Sequence, residues 1–370
     1  MKILMVWFHS FPEGNASSFR AYILSKMIVT LGHKIDVVTP EYVRSNQNID
    51  GINVINIKDF NENYVDCVKK ILIKNRYDFV IRSASNKFYL KLNRLFKKYK
   101  LPILLDSVEW FDASNWKFSY LDPRYYYFHF LWYFIFPKAK GIIAISRMIE
   151  HYYVKKTKSV VRIPTVTDIS EIPFRVTIND TSMIHFVFIG MLDKGKDNLN
   201  LFVRAMEEID PKGEKLRLDI YGPENKEVIA HLYSGLNTVP KSSNIFIHGR
   251  VSQTIARKAC LEADYNVFFR YNRKSANAGF PTKLGEAMTM GTPTICNDTG
   301  DIALVMKNGI NGFLLKKYDK EEVIKILKII LSMSLKDREN MRINARRTSE
   351  EFFDYHNYLS QMKSIIERIL

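Results

Sequence analysis

Short apolar runs without polar alternation punctuate the chain, and amphipathic stretches separate them. Ile3–Trp7 has the character of a strand buried on both faces, as in a parallel sheet. The loop His9-Ser10-Phe11-Pro12-Glu13-Gly14-Asn15-Ala16 follows, with Ser17 or Ser18 available as N-cap. Phe19, Ile23, Leu24, Met27, Ile28 and Leu31 then share one helical face, Gly32 stops the helix, and Lys34–Val38 makes a second strand. In such a β-loop-α-β unit the loop lies at a strand's C-terminal end, where open α/β sheets bind ligands. The pattern repeats with strands at Phe79–Ile81, Ile103–Leu105, Ile142–Ile145 and Val160–Ile163, and helices near 62–75, 86–99, 123–138 and 147–156. From Pro164 to Ser182 periodicity lapses, as in a linker. Strands then resume at Ile184–Ile189, Leu218–Tyr221, Ile245–Val251, Tyr265–Phe269, Thr294–Cys296 and Phe313–Leu315. Helices near 319–333, 336–352 and 355–369 finish the chain, which is therefore α/β.

Asn277–Asp301 concentrates the candidate chemistry. A glycine loop, Gly279-Phe280, leads to Pro281, which suits a first helical turn. Leu284, Ala287 and Met288 keep helical spacing, Gly291 is a C-terminal stop and Pro293 blocks continuation. A glycine loop feeding a short helix offers free N–H groups and the positive end of a dipole to a phosphate. Lys283 adds a cation, and Glu286 is placed to accept hydrogen bonds from a sugar diol. An ordinary loop–helix–strand unit has the same pattern, so both readings stand at this point.

Composition narrows the class. The 370 residues suit two domains, and 46% hydrophobic content fills their cores. Cys67, Cys260 and Cys296 are odd in number, far apart and set in apolar runs, which argues for a reducing compartment. Met1-Lys2-Ile3-Leu4 enters a strand directly, so no signal peptide is expected, and no apolar run approaches the ~20 residues of a membrane span. The net charge of +16 admits an anionic membrane surface, nucleic acid, or a merely lysine-rich composition. No nucleic-acid-binding motif accompanies it, so no nucleic-acid partner is expected. Lys87, Lys91, Arg94 and Lys98 beside Phe88, Leu92, Leu95 and Tyr99 form a basic amphipathic helix, suited either to acidic lipid or to packing on a sheet. Tyr125–Phe136 is almost wholly aromatic and aliphatic. The expectation is a buried helix, with a hydrophobic groove for a lipid as the alternative; His129 is expected to be a satisfied core histidine. Glu109 and Asp106, at another strand exit, are candidates for holding a ligand hydroxyl, and either could equally be a helix cap.

Gly279-Phe280-Pro281-Thr282-Lys283, Glu286-Ala287-Met288 and Gly291-Thr292-Pro293 together resemble the nucleotide-sugar site of retaining GT-B glycosyltransferases of family 4, in the subgroup with a Gly-Phe-Pro-Thr-Lys donor loop. The resemblance covers nearly the whole chain and is strongest from Gly190 to Leu315. It departs at Ala278, where the family has a first glutamate, and at Met191, where it has an arginine. It implies two Rossmann-like domains with parallel sheets facing across a cleft. These would be an acceptor domain 1–168 completed by a crossover helix 355–370, a linker 169–182, and a donor domain 183–354.

The family pattern also assigns residues. Gly190, Lys194, Gly222, and the backbone at Arg250 and Val251 fall where donor contacts and base recognition are expected, joined by Gly279, Phe280, Pro281, Thr282, Lys283 and Leu284. Lys194, Arg270, Glu286 and Glu109 are the expected catalytic set. Arg270 and Arg273 replace the missing arginine, since guanidinium binds phosphate well; for Arg270, a salt bridge to Glu262 or Asp264 is the alternative. Gly14, Asn15, Ala16 and Arg20 take the loop role beside donor phosphate or acceptor. The implied reaction moves a sugar from a nucleotide-diphosphate sugar to a hydroxyl of a glycan or lipid-linked acceptor, as in surface polysaccharide synthesis. No Asp-x-Asp motif is present, so no metal or other cofactor is expected. A cytoplasmic protein follows, with peripheral attachment to the inner membrane face as an option. The alternatives are a GT-B epimerase or inverting transferase, or a non-catalytic membrane- or partner-binding homologue.

Overall fold

The computed structural model describes residues 1–41, 48–57, 63–83, 88–113, 119–178, 183–192, 197–233 and 244–370. They divide into two compact units: Met1–Asp168 with Ala278–Phe280 and Tyr355–Leu370, and Ile169–Asn277 with Pro281–Asp354.

In the first unit Ile3, Leu4, Met5 and Val6 are wholly buried, so β1 (Lys2–Val6) lies at the centre of its sheet. The order across that sheet is β3 (Asn48–Ile49), β4 (Ile52–Asn56), β2 (Lys34–Thr39), β1, β5 (Phe79–Ser83), β6 (Ile103–Ser107), β7 (Gly141–Ala144), β8 (Val160–Arg162). Every pair is parallel except the β3–β4 hairpin. The chain leaves β1 for β2 on one side and returns to β5 on the other. The loop after β1 therefore sits where the strand order reverses.

Gly14 in that loop has φ of 127°, and a Cβ there would lie 2.2 Å from Ser10 Oγ. The helix that follows, α1 (Ala16–Thr30), is capped not by Ser17 or Ser18 but by Asn15, whose Oδ1 accepts the Ser18 N–H at 3.0 Å. Asparagine is among the best N-cap residues because its short side chain reaches the N2 or N3 amide. Ser18 is instead buried inside the helix, 3.2 Å from Ser10 Oγ.

α2 (Tyr64–Lys74) and α3 (Tyr89–Lys98) pack beneath β1 and β5. Phe88, Leu92 and Phe96 are buried while Lys91, Arg94 and Lys98 face outward, which is the sheet-packed form of the amphipathic helix; Lys87 lies outside the described residues. The aromatic stretch departs from expectation. α4 (Pro123–Phe130) passes into a π turn over Leu131–Ile135 and a 3-10 turn over Phe136–Lys138, and α5 (Arg147–Tyr153) follows β7. Trp132 and Phe136 are buried, yet Tyr126, Phe130 and Phe134 are 61%, 44% and 61% exposed. A helix presents side chains all round, so an unbroken aromatic run cannot bury every ring on one side. His129 is half-buried, its Nδ1 2.7 Å from the carbonyl of Tyr125.

The C-terminal helix, Leu359–Ile369, supplies Met362, Ile365, Ile366 and Ile369 to the core formed by Ile3, Met5, Ile81 and Ile143. It rests so closely on β7 that a Cβ on Gly141 would lie 2.7 Å from Ile369 Cγ2.

The second unit repeats the logic with the order β11 (Ile245–Gly249), β10 (Leu216–Tyr221), β9 (Ile184–Ile189), β12 (Tyr265–Phe268), β13 (Thr294–Asn297), β14 (Gly312–Leu315), all parallel. Helices α6 (Asn200–Ile209), α7 (Asn225–Leu232) and α8 (Gln253–Glu262) link the strands on one side of β9 and lead back to β12. The order reverses between β9 and β12, and their exits hold the loops described next. Beyond them come α9 (Lys274–Ala278), α10 (Thr282–Thr289), α11 (Lys320–Ser332) and α12 (Leu335–Phe352). Residues 179–182 of the expected linker lie outside the described residues. Arg175 within it is fastened to the second unit, its N–H donating to Met290 and its carbonyl accepting from Arg342. No helix among the described residues is long and apolar enough to cross a membrane.

Candidate functional site

At the switch point of the second sheet, β9 ends in Gly190 and β10 in Gly222, with φ of 143° and 121°. Both positions exclude a side chain. A Cβ on Gly222 would stand 2.3 Å from the Gly190 carbonyl, and one on Gly190 would stand 2.9 Å from Lys283 Nζ. The backbone ties the exits together: Gly190 N–H donates to Tyr221 O at 3.0 Å and Gly222 N–H to Gly249 O at 2.7 Å.

Lys283 lies in the first turn of α10, whose opening N–H groups face the N-terminal end of the helix, that of Leu284 donating to the Pro281 carbonyl at 3.2 Å. Pro281 is the N-cap (φ −72°, ψ 114°), so helical geometry starts at Thr282. The Lys283 ammonium bonds Asp197 Oδ2 at 2.7 Å and lies 4.4 Å from the centre of the Phe188 ring. Arg270 enters from the end of β12. Its N–H donates to Asn297 Oδ1 at 2.7 Å, its carbonyl accepts from Asn297 Nδ2 at 2.8 Å, and its Nε is 3.7 Å from Asp197 Oδ1. The carboxylate beside Arg270 is thus Asp197, not Glu262 or Asp264, which stand 3.9 Å from Lys258 and Arg338 respectively. Only 15% of the Lys283 side chain is exposed, and burial pushes its pKa down against the pull of Asp197.

Glu286 is one turn further along α10, in a pocket of about 90 Å³ lined also by Gln253, Arg257, Asn266 and Lys283. Burial raises its pKa, which the Arg257 and Lys283 charges partly oppose. A carboxylate and an ammonium one turn apart in a single pocket can accept from a diol and neutralise a phosphate on one small molecule.

The remaining expected residues scatter. Lys194, with Gly195, lies outside the described residues. Arg250 and Val251 follow β11 beside Gly249, whose carbonyl receives the Gly222 amide. Arg273 stacks on Tyr271, 4.9 Å from the ring centre. Leu284 is core, Thr282 is half-buried, and Ala278, Gly279 and Phe280 cluster with the first unit. Ala278, at the position of the family's first glutamate, is wholly buried.

In the first unit Glu109 lies near His9, where its charge raises the imidazole pKa against a larger lowering by burial. Arg20 is not a loop cation. It sits inside α1 and grips Asp106 through Nε at 2.8 Å and Nη2 at 2.7 Å, with Nη1 on the Pro164 carbonyl. Asp106 is fully buried by that pair and caps no helix, so neither residue is presented to a ligand. Gly14, Asn15 and Ala16 form the turn and cap that start α1. Sequence reading missed Asp197, Asn297 and Arg257. Asp197, two residues after Lys-Gly at a strand exit, had a positional signal; the other two had none outside the fold.

Residues 184–332 match the family model described as glycosyl transferases group 1. The matched residues, apart from Ala278–Phe280, lie within the second unit. The chain is 24% identical over 246 residues to an uncharacterized glycosyltransferase of Methanocaldococcus jannaschii, a match spanning 64% of this chain and 60% of that relative. The whole fold is similar to sucrose-phosphate synthase from Thermosynechococcus elongatus (TM-score 0.73, 14% identity, 100% of this chain and 99% of that one). It is similar also to the Anabaena protein HepE in complex with UDP and glucose (TM-score 0.68, 13% identity, 99% of each chain). The architecture, two parallel-sheet α/β units, is that of GT-B glycosyltransferases. The group 1 match supports a transferase.

Proposed function

We propose that the chain is a retaining family 4 glycosyltransferase that moves a sugar from a nucleotide-diphosphate donor to a hydroxyl of a glycan or lipid-linked acceptor. The observation that carries this reading is the convergence of Lys283, Arg270 and Glu286 at the switch point of the second unit. A diphosphate received at the N-terminus of α10 meets the helix dipole, the Lys283 ammonium and the Arg270 guanidinium; Lys194, which the family pattern assigns to the same group, lies outside the described residues. These groups offset the negative charge that grows on the leaving diphosphate as the glycosidic bond breaks. Glu286 accepts hydrogen bonds from the ribose hydroxyls, and the backbone at Arg250 and Val251 borders the base. The complex of HepE with UDP and glucose is consistent with a uridine nucleotide. In this proposal residues 1–168 take the acceptor, 169–182 link the domains and 183–354 take the donor. The departing phosphate oxygen receives the acceptor's proton, which accounts for retained configuration without a nucleophilic side chain.

Glu286→Ala and Lys194→Ala are expected to cripple transfer while the unfolding temperature stays within a few degrees of wild type. UDP, GDP, CMP and dTDP tested by thermal shift should include one that raises the wild-type midpoint and fails to raise that of Glu286→Ala. Wild-type turnover from either variant removes the site assignment, and an inverted product anomer removes the retaining mechanism.

The exposed rings of the first unit favour a membrane-surface acceptor. Tyr126, Phe130 and Phe134 are exposed, and Lys138 and Lys140 follow them with no acidic residue between Pro123 and Met148. Aromatic rings with cations around them suit an anionic bilayer interface. Replacing Tyr126, Phe130 and Phe134 by serine is expected to lower partitioning onto phosphatidylglycerol vesicles at least severalfold. Unchanged flotation with those vesicles defeats the membrane proposal and leaves the donor site untouched.

A further inference from the structure

The geometry of the second unit points to Asp197 as a positioning residue: its carboxylate holds Lys283 and Arg270 side by side where a diphosphate is received. This rests on the donor-site reading above. Two cations brought into one buried place repel each other, and each alone would swing away or, for lysine, lose its proton. Asp197 stands against both, at 2.7 Å from Lys283 Nζ and 3.7 Å from Arg270 Nε. Backbone, not side-chain chance, puts it there. Asp197 forms an antiparallel bridge with Arg270, and the N–H of Asn198 donates to the Phe269 carbonyl at 2.8 Å. Its Oδ1 is buried without a hydrogen bond, so the carboxylate is not saturated by the fold around it.

The charged groups facing Lys283 are Asp197 from the loop after β9, Arg270 from the end of β12 and Glu286 from α10. The Phe188 and Phe268 rings complete its surroundings; Asp193, Lys194 and Lys196 lie outside the described residues. Burial and Arg270 lower the lysine pKa, while Asp197 and Glu286 raise it. Without the Asp197 charge the ammonium is lost at a lower pH. A protonated lysine exists below its pKa, so donor capture then fails as pH rises, and fails earlier than in wild type.

The test is kcat/KM for the donor from neutral to alkaline pH, since this ratio reports groups of the free enzyme. Asp197→Asn is expected to move the alkaline limb acidward, with a loss on the order of tenfold at mildly alkaline pH that is recovered by acidification. Adding Lys283→Arg should flatten that limb, because guanidinium keeps its proton. Asp197→Glu should keep the wild-type limb. If Asp197→Asn does not fold, Asp197→Ser carries the same measurement. A wild-type pH profile in the variant, or a loss equal at every pH that Lys283→Arg does not alter, overturns the role. Calorimetry with UDP separates the two levels. Undiminished UDP binding by Lys283→Ala sinks the donor site itself, whereas binding lost there with an unmoved Asp197→Asn profile sinks the Asp197 role alone.

Discussion

Lys283→Ala is expected to lower turnover about 10²–10³-fold, the range found when one preorganised donor to a developing oxyanion is removed. The size follows from the site. The ammonium is largely shielded from water, flanked by the Phe188 and Phe268 rings and fixed on Asp197, so its field is poorly screened and already aimed. Transfer measured with saturating donor should show the loss in kcat, because charge grows on the diphosphate only as the sugar leaves. The fold should survive. Asp197 keeps Arg270 at 3.7 Å and remains anchored through its backbone, so the unfolding midpoint should fall by a few degrees at most. A loss confined to KM would assign Lys283 to ground-state binding, and a tenfold smaller effect on kcat would contradict the proposed role.

The second large effect concerns the first unit. Asp106→Ala should destabilise it by about 3–5 kcal/mol, as removal of one partner from a buried ion pair does. Arg20 would keep its charge in the interior with only the Ile163 and Pro164 carbonyls to meet it. Urea unfolding followed by tryptophan fluorescence measures this, Trp7, Trp110 and Trp132 being buried in that unit. Replacing both partners together, Arg20→Met with Asp106→Leu, should restore most of the loss, since no orphaned charge remains. A cost below about 1 kcal/mol for Asp106→Ala would mean that Arg20 finds water or another anion, and would return it to the candidates for ligand contact.

The expectation for Arg20 failed in an instructive way. Five residues after the Asn15 cap, it lies on the same helical face as Ile23 and Leu24 only if its charge is answered across the sheet, and the answering Asp106 is 86 residues away. No local pattern contains that pairing. The central strands, by contrast, were legible because burial on both faces demands unbroken apolar runs, and Ile3–Val6, Phe79–Ile81 and Ile142–Ala144 have them. The hairpin of β3 and β4 was missed although its signal was present. Asp50-Gly51 adopts φ of 50° and 80°, the turn that such a dipeptide favours between antiparallel strands, but Ile52–Asn56 alternates and looks weak beside its neighbours.

The donor-loop reading from Gly279 to Glu286 drew on motif spacing, and the structure adds what spacing lacks. Asp197 reaches Lys283 from 86 residues away through the reversal of strand order beside β9. The aromatic run failed for another reason. Composition announced a hydrophobic segment, but which rings face outward depends on the phase shift of the π turn at Leu131–Ile135, and no hydropathy pattern encodes that shift.

The docking of the C-terminal helix on β7 sets a schedule for synthesis. Its four apolar side chains close a core whose other walls are translated first, so the nascent N-terminal sheet waits on the ribosome with that seam open. At roughly 5–20 residues per second the wait lasts on the order of ten seconds or more, during which the intervening unit emerges and completes its own sheet. The segment that seals the first unit is therefore made only after the second has been.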